Sequence, residues 1–229
     1  MILSNSFMVF FRLPFLQTFY HDIHYGSSPS PAIKSTKKAY KRKEDKTMKY
    51  YSLEDACKKV ITDLAQAYGV KSAIDIFIEN DEEHLSGGFT GINVETGNIA
   101  VCINIGRSRT NMEMIHQCRH EFRHVWQLYF NRDLTEWWRD WQTEAQEKCD
   151  GRDMLAAAQY VFSAIELDAE RFAFSGKDDV CLLRELLPAS KEESVQQILL
   201  RNVSWVLAHP EDFQGRIRWT AKEYMDRLK

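Results

Sequence analysis

The stretch Ile115-His116-Gln117-Cys118-Arg119-His120-Glu121-Phe122-Arg123-His124-Val125-Trp126-Gln127 constrains this chain more than any other. His120, Glu121 and His124 form the pattern HExxH, and Thr110-x-x-Glu113 ahead of it has the form of a capping box. Together they predict a helix over residues 111–130, with Met112, Ile115, Phe122, Val125, Trp126 and Tyr129 on its apolar faces. On a helix, side chains four positions apart stand almost above one another, roughly 6 Å apart, so two imidazoles reach one metal ion. Glu121 projects about 100° around the axis, where it can handle a water molecule at the open position of that metal. Such a pattern points to a zinc hydrolase if the chain supplies a third ligand. The competing reading is a surface helix whose His, Glu and Arg side chains are solvated.

A third ligand is on offer in the next long helix, expected over 152–174 with Met154, Leu155, Ala158, Val161, Phe162, Ile165, Ala169, Phe172 and Ala173 buried and Gly176 closing it. Within it, Glu166 has apolar neighbours, and Ala169 three positions later lets two helix backbones approach. Glu170, one turn further on, can accept the second N–H of a liganding histidine and fix its tautomer. Asp168 is an alternative ligand on a different face. His116 extends the histidines into an i, i+4, i+8 stripe, but successive turns advance about 5.4 Å, so it is read as lining the cleft rather than as a ligand. His84, in a loop, and His21 and His24, near the N-terminus, are read as inert.

His120-Glu121-x-x-His124 followed by Glu166-x-x-Ala169-Glu170 resembles the gluzincin metallopeptidases, whose motif is HExxH, then ExxA with an acid next. The texture from Glu166 to Ala173 is closest to the minimal gluzincins of the ImmA/IrrE type, and the resemblance covers residues 52–175. It departs at Glu170, where related gluzincins often carry Asp. The resemblance implies a zincin-like core. It also implies Zn2+ held by His120, His124 and Glu166, with Glu170 behind them. Glu121 would then deprotonate the zinc-bound water that attacks a peptide bond in a protein or peptide substrate. It further implies that the strand nearest the cleft, taken as 99–105, pairs with the extended substrate. Tyr160, Arg171 and His209 are candidate oxyanion donors. An alternative from another class is a catalytically idle gluzincin-like module that binds a protein partner.

The rest of the chain fits one α+β domain over 48–229, with a small three-stranded sheet packed on helices and a helical C-terminal part. Ser52-x-x-Asp55 opens a helix ending near Tyr68, Ser72–Ile78 alternates as a strand, and Asn80–Gly88 reads as a loop. Gly91–Glu95 and Asn98–Ile105 flank Thr96-Gly97 as a hairpin. Trp137-Trp138-Arg139-Asp140-Trp141 reads as a packing block between the two long helices. Further helices are expected near 179–186 and 190–208, with a last segment over 211–228.

Residues 1–47 carry eight Lys/Arg against three acids, and the other residues carry 22 bases against 30 acids. An acidic body is a poor nucleic-acid surface, so any such binding is expected only through a disordered basic extension over 1–47. Its Phe-rich start, interrupted by Arg12 and Pro14, fits neither a secretory signal nor a membrane span. Five cysteines without close pairing suggest neither a disulfide framework nor a cysteine metal site, and a reducing cytoplasm is expected.

Overall fold

The structure, a computed structural model, describes residues 52–82, 87–108, 110–147, 154–179, 181–188, 193–213 and 215–227. The expectations for residues 1–47, His21, His24 and His84 lie outside them.

Helix α1 (Leu53–Ala67) begins where Ser52 Oγ accepts the Asp55 N–H at 3.1 Å, and it buries Cys57, Ile61 and Ala65. Gly69, at φ 70°, turns the chain into the left-handed region that favours glycine, and strand β1 (Ile74–Glu79) follows. Strands β2 (Gly88–Ile92) and β3 (Ile99–Asn104) form the expected hairpin, with Gly97 at φ 73° in its turn. The sheet order is β1-β3-β2, with β3 parallel to β1 and antiparallel to β2. Every residue of β3 is buried, as a central strand should be. The expectation that the strand at 99–105 offers a free edge to substrate is therefore wrong. Both of its sides are taken, and β2 is the edge strand that lies beside the next helix.

β2 also starts earlier than its glycines suggest. A Cβ at Gly88 would lie 2.6 Å from the Cys102 carbonyl oxygen and 3.0 Å from Glu121 Cγ. Glycine is needed there because the strand is pressed first against the Cys102 carbonyl of β3 and then against the Glu121 side chain of the HExxH helix.

That helix, α2 (Asn111–Phe130), has the expected capping box of Thr110 and Glu113. It lies between two apolar cores. One joins α1, the sheet and α2 through Ile61, Val101, Ile103, Phe122 and Val125. The other holds Trp138, Phe162, Leu167, Leu183, Leu199 and Phe213. Each large side chain fully buried in them stabilises the fold by about 1.5–3 kcal/mol.

The tryptophan block packs as expected and belongs to a helix of its own, α3 (Arg132–Glu147). Trp138 and Trp141, three apart and on one face, are buried in the second core, and the Trp138 indole N–H donates to the Leu183 carbonyl at 3.0 Å. The single helix expected over 152–174 is two, α4 (Met154–Val161) and α5 (Ala164–Ser175). Ser163 leaves the helical region (φ −68°, ψ 151°) and caps α5, while the buried Asn202 amide takes the Phe162 carbonyl at 2.7 Å. The break thus satisfies its own backbone groups. The short α6 (Leu182–Glu185), α7 (Val195–Ala208) and α8 (Gly215–Arg227) complete a mostly helical α+β fold. No helix among the described residues is long and apolar enough to cross a membrane.

Candidate metal centre

Helices α2 and α5 pack face to face, and their facing side chains converge on one point. His120 Nε2 and His124 Nε2 are 3.2 Å apart. Glu166 Oε2 lies 3.3 Å from the first, and Glu166 Oε1 lies 3.7 Å from the second. Four ligands about 2.0–2.1 Å from a zinc ion stand on the corners of a tetrahedron with edges of about 3.3–3.4 Å. The three donors therefore already stand near the spacing that one such ion requires.

The break before α5 explains Glu166. With Ser163 as N-cap, Glu166 is the third residue of the helix, and its N–H lies 3.4 Å from Ser163 Oγ. A carboxylate in the first turn is favoured by the positive end of the helix dipole. Burial works against its charge, but His124, His120 and the Tyr160 hydroxyl overcome this and hold Glu166 below the usual carboxylate range. Burial likewise works against a charged His120, yet Glu166 and Glu170 raise its affinity for a proton well above the ordinary value.

The second nitrogen of each imidazole has a partner that sets its tautomer. Gln127 donates through Nε2 to the Ile165 carbonyl at 3.0 Å and to Asp168 Oδ2 at 2.9 Å. Its Oε1, 2.8 Å from His124 Nδ1, can only accept, so Nδ1 carries the proton and Nε2 keeps its lone pair. On His120 the partner is Glu170, with Oε2 3.4 Å from Nδ1. Glu170 also meets His116 Nε2 at 3.1 Å. Its carboxylate is held well below the usual range, burial being outweighed by His116 and His120.

Glu121 is 3% exposed, a position that solvated-helix chemistry does not fit, and Arg123 beside it is 1% exposed. Its two oxygens accept from Gln117 Nε2 at 2.8 Å and from Thr90 Oγ1 at 2.9 Å. Burial raises its pKa above the ordinary value, with His124 and His120 opposing. Asp168 is no ligand in this arrangement. It takes both arms of Arg123 at 2.7 and 3.1 Å and the Leu182 N–H at 3.2 Å.

Of the three candidate oxyanion donors, Tyr160 alone is brought to the site, where its hydroxyl bonds Glu166. Arg171 pairs with Asp212 and Asp179 on the far side of α5, and His209 donates to the Trp205 carbonyl and stacks on its ring. Sequence reasoning missed Gln127 and Arg139. The spacing HExxHxxQ, which puts Gln127 one turn beyond His124, was the available sign of the first. Arg139 belongs to α3, is half-buried, and donates from Nη2 to the Thr90 carbonyl at 3.1 Å. Only the three-dimensional packing of α3 reveals it.

Comparison with known proteins finds no matching family model, no matching curated protein and no matching solved structure. The site is judged on its own geometry.

Proposed function

We propose that this chain is a zinc-dependent peptidase of the gluzincin type, with a zincin-like core made of α1, the sheet, α2 and α5. His120, His124 and Glu166 are the residues that would hold the zinc, and a donor set of two neutral imidazoles and one carboxylate suits that ion. Zinc bound there supplies a Lewis acid that polarises a carbonyl and acidifies a water molecule.

Glu121 is the general base in this reading. It takes the proton of the attacking water and returns it to the leaving amide nitrogen. Thr90 and Gln117 hold its oxygens in place, and each oxygen keeps a second lone pair for the water.

The edge of β2 is the substrate lane. Asn104 N–H bonds the Gly87 carbonyl and Asn93 N–H bonds the Asn98 carbonyl, so alternate residues from Gly87 to Asn93 face β3. The backbone groups of Gly88, Thr90 and Ile92 then face away from β3, along the edge that an extended peptide would take and where Arg139 holds the Thr90 carbonyl. Thr90 stands level with Glu121, which brings a peptide on that edge beside the base.

The observation that carries the reading is the convergence of three donors at 3.2, 3.3 and 3.7 Å with both imidazole tautomers set from behind. The test compares zinc-loaded full-length protein with Glu121→Gln on a randomised decapeptide library read by mass spectrometry. Wild type should cleave and the variant should keep its zinc but lose turnover by several orders of magnitude. Identical product profiles would instead favour the protein-binding module.

A further inference from the structure

Arg139 occupies an unusual place for a long cation. Helix α3 is anchored in the second core by Trp138 and Trp141, and this holds the intervening Arg139 against the edge strand β2. There its Nη2 bonds the Thr90 carbonyl at 3.1 Å, an outward-facing group of the proposed substrate lane. Thr90 in turn bonds Glu121 through its hydroxyl at 2.9 Å. The guanidinium therefore stands in the lane at the level of the proposed general base, with the Glu166 and Glu121 carboxylates close enough for their charges to act on it.

Two features make this more than a structural contact. A guanidinium has five N–H donors in a planar fork, and the hydrogen bond to Thr90 uses one of them on a neutral acceptor. An arginine confined beside a cleft with most of its fork unspent is suited to a planar anion that accepts two parallel hydrogen bonds. A neutral peptide strand laid along β2 must also compete with Arg139 for the Thr90 carbonyl. A carboxylate at that level instead gives the guanidinium a better partner than the one it leaves.

We propose that Arg139 is a specificity-determining residue that receives a carboxylate of the substrate within one or two residues of the scissile bond. The carboxylate is either the free C-terminus of the peptide substrate or an Asp or Glu side chain. This rests on the peptidase reading, and it deepens that reading by naming the substrate class.

The test uses the zinc-loaded full-length chain and the decapeptide library in matched versions: free acid against C-terminal amide, and Asp/Glu against Asn/Gln near the cleaved bond. Wild type should prefer the carboxylate form of one pair by at least roughly tenfold in kcat/KM, mainly through KM. The pair that shows the preference identifies the source. Arg139→Met should bring kcat/KM for the two members of that pair together, and Arg139→Lys should keep part of the preference. Equal loss on both members of each pair, or no preference in wild type, would overturn the assignment.

Binding is measured separately by fluorescence anisotropy of labelled free-acid, amide, Asp/Glu and Asn/Gln peptides on zinc-loaded Glu121→Gln, with and without Arg139→Met. A carboxylate preference that Arg139→Met removes supports the role of Arg139 even if wild type cleaves nothing, the outcome that sinks the peptidase reading alone. Tight peptide binding indifferent to charge would overturn the role of Arg139 and leave the peptidase reading standing. If Arg139→Met fails to fold, Arg139→Lys decides in both assays: a reduced carboxylate preference supports the role, and an unchanged one refutes it.

Discussion

Gln127→Met removes the acceptor that fixes His124 while keeping the length and volume of the side chain. Wild-type Gln127 makes three hydrogen bonds, at 2.8 Å to His124 Nδ1, 3.0 Å to the Ile165 carbonyl and 2.9 Å to Asp168. Without the first, the His124 proton is free to move to Nε2, the nitrogen that faces Glu166. The ring also loses the contact that fixes its orientation. Removing such an outer partner typically weakens a metal site about 10–100-fold. The fold should survive, because Asp168 keeps both arms of Arg123 and the Leu182 N–H. The loss of buried hydrogen bonds is worth about 1–3 kcal/mol, against a total of about 5–15 kcal/mol for a domain. Zinc affinity is read by competition with a chromogenic chelator at pH 7, and folding by thermal melting of the metal-free protein. The expected result is a Tm lower by about 2–12 °C together with a zinc affinity weaker by about 10–100-fold. An unchanged zinc affinity in a folded Gln127→Met would refute the idea that Gln127 prepares His124 for a metal.

Three other outcomes follow from the same contacts. Glu170→Ala should lower zinc affinity about 10–100-fold; His116→Ala should cost less, and the double variant should match Glu170→Ala alone, since His116 acts through Glu170. Additive losses in the chelator assay would contradict this. Arg123→Met leaves the buried Asp168 carboxylate without its counter-charge, which costs about 3–5 kcal/mol in urea unfolding, and Arg123→Met with Asp168→Leu should recover part of that. The third concerns Asp212, whose carboxylate is held below the usual range because Lys177 and Arg171 outweigh the effect of burial. A depressed folded pKa gives stability that is present above the unfolded value of about 4 and lost as pH falls through the folded value. Asp212→Asn should therefore be less stable than wild type at pH 7, with the gap closing below about pH 4; a gap independent of pH would refute the pairing.

Local signals made much of the fold legible. Ser52 and the box of Thr110 and Glu113 marked helix starts because caps act through residues three apart. Thr96-Gly97 marked the hairpin because its glycine takes the left-handed conformation of the turn. Gly88 misled because glycine marks loops as well as strands pressed against another backbone, here the Cys102 carbonyl of β3, and only the packing of the sheet decides between them. The break at Phe162–Ser163 was hidden in an apolar run, since the group that stabilises it, Asn202, lies 40 residues away. At the site, His120, His124 and Glu166 were readable from spacing and resemblance. Arg123 and Asp168, 45 residues apart, find each other only when α2 and α5 pack. The edge strand was misassigned because the order of strands in a sheet is not written in their order along the chain.

The most direct test of the central claim is metal stoichiometry after exhaustive dialysis of the full-length protein against buffer containing trace zinc. The account expects one equivalent of zinc in wild type and in Glu121→Gln, and much less than one in His120→Ala, His124→Ala and Glu166→Ala, each still folded by circular dichroism. Wild type without zinc, or full zinc retention in Glu166→Ala, would contradict it.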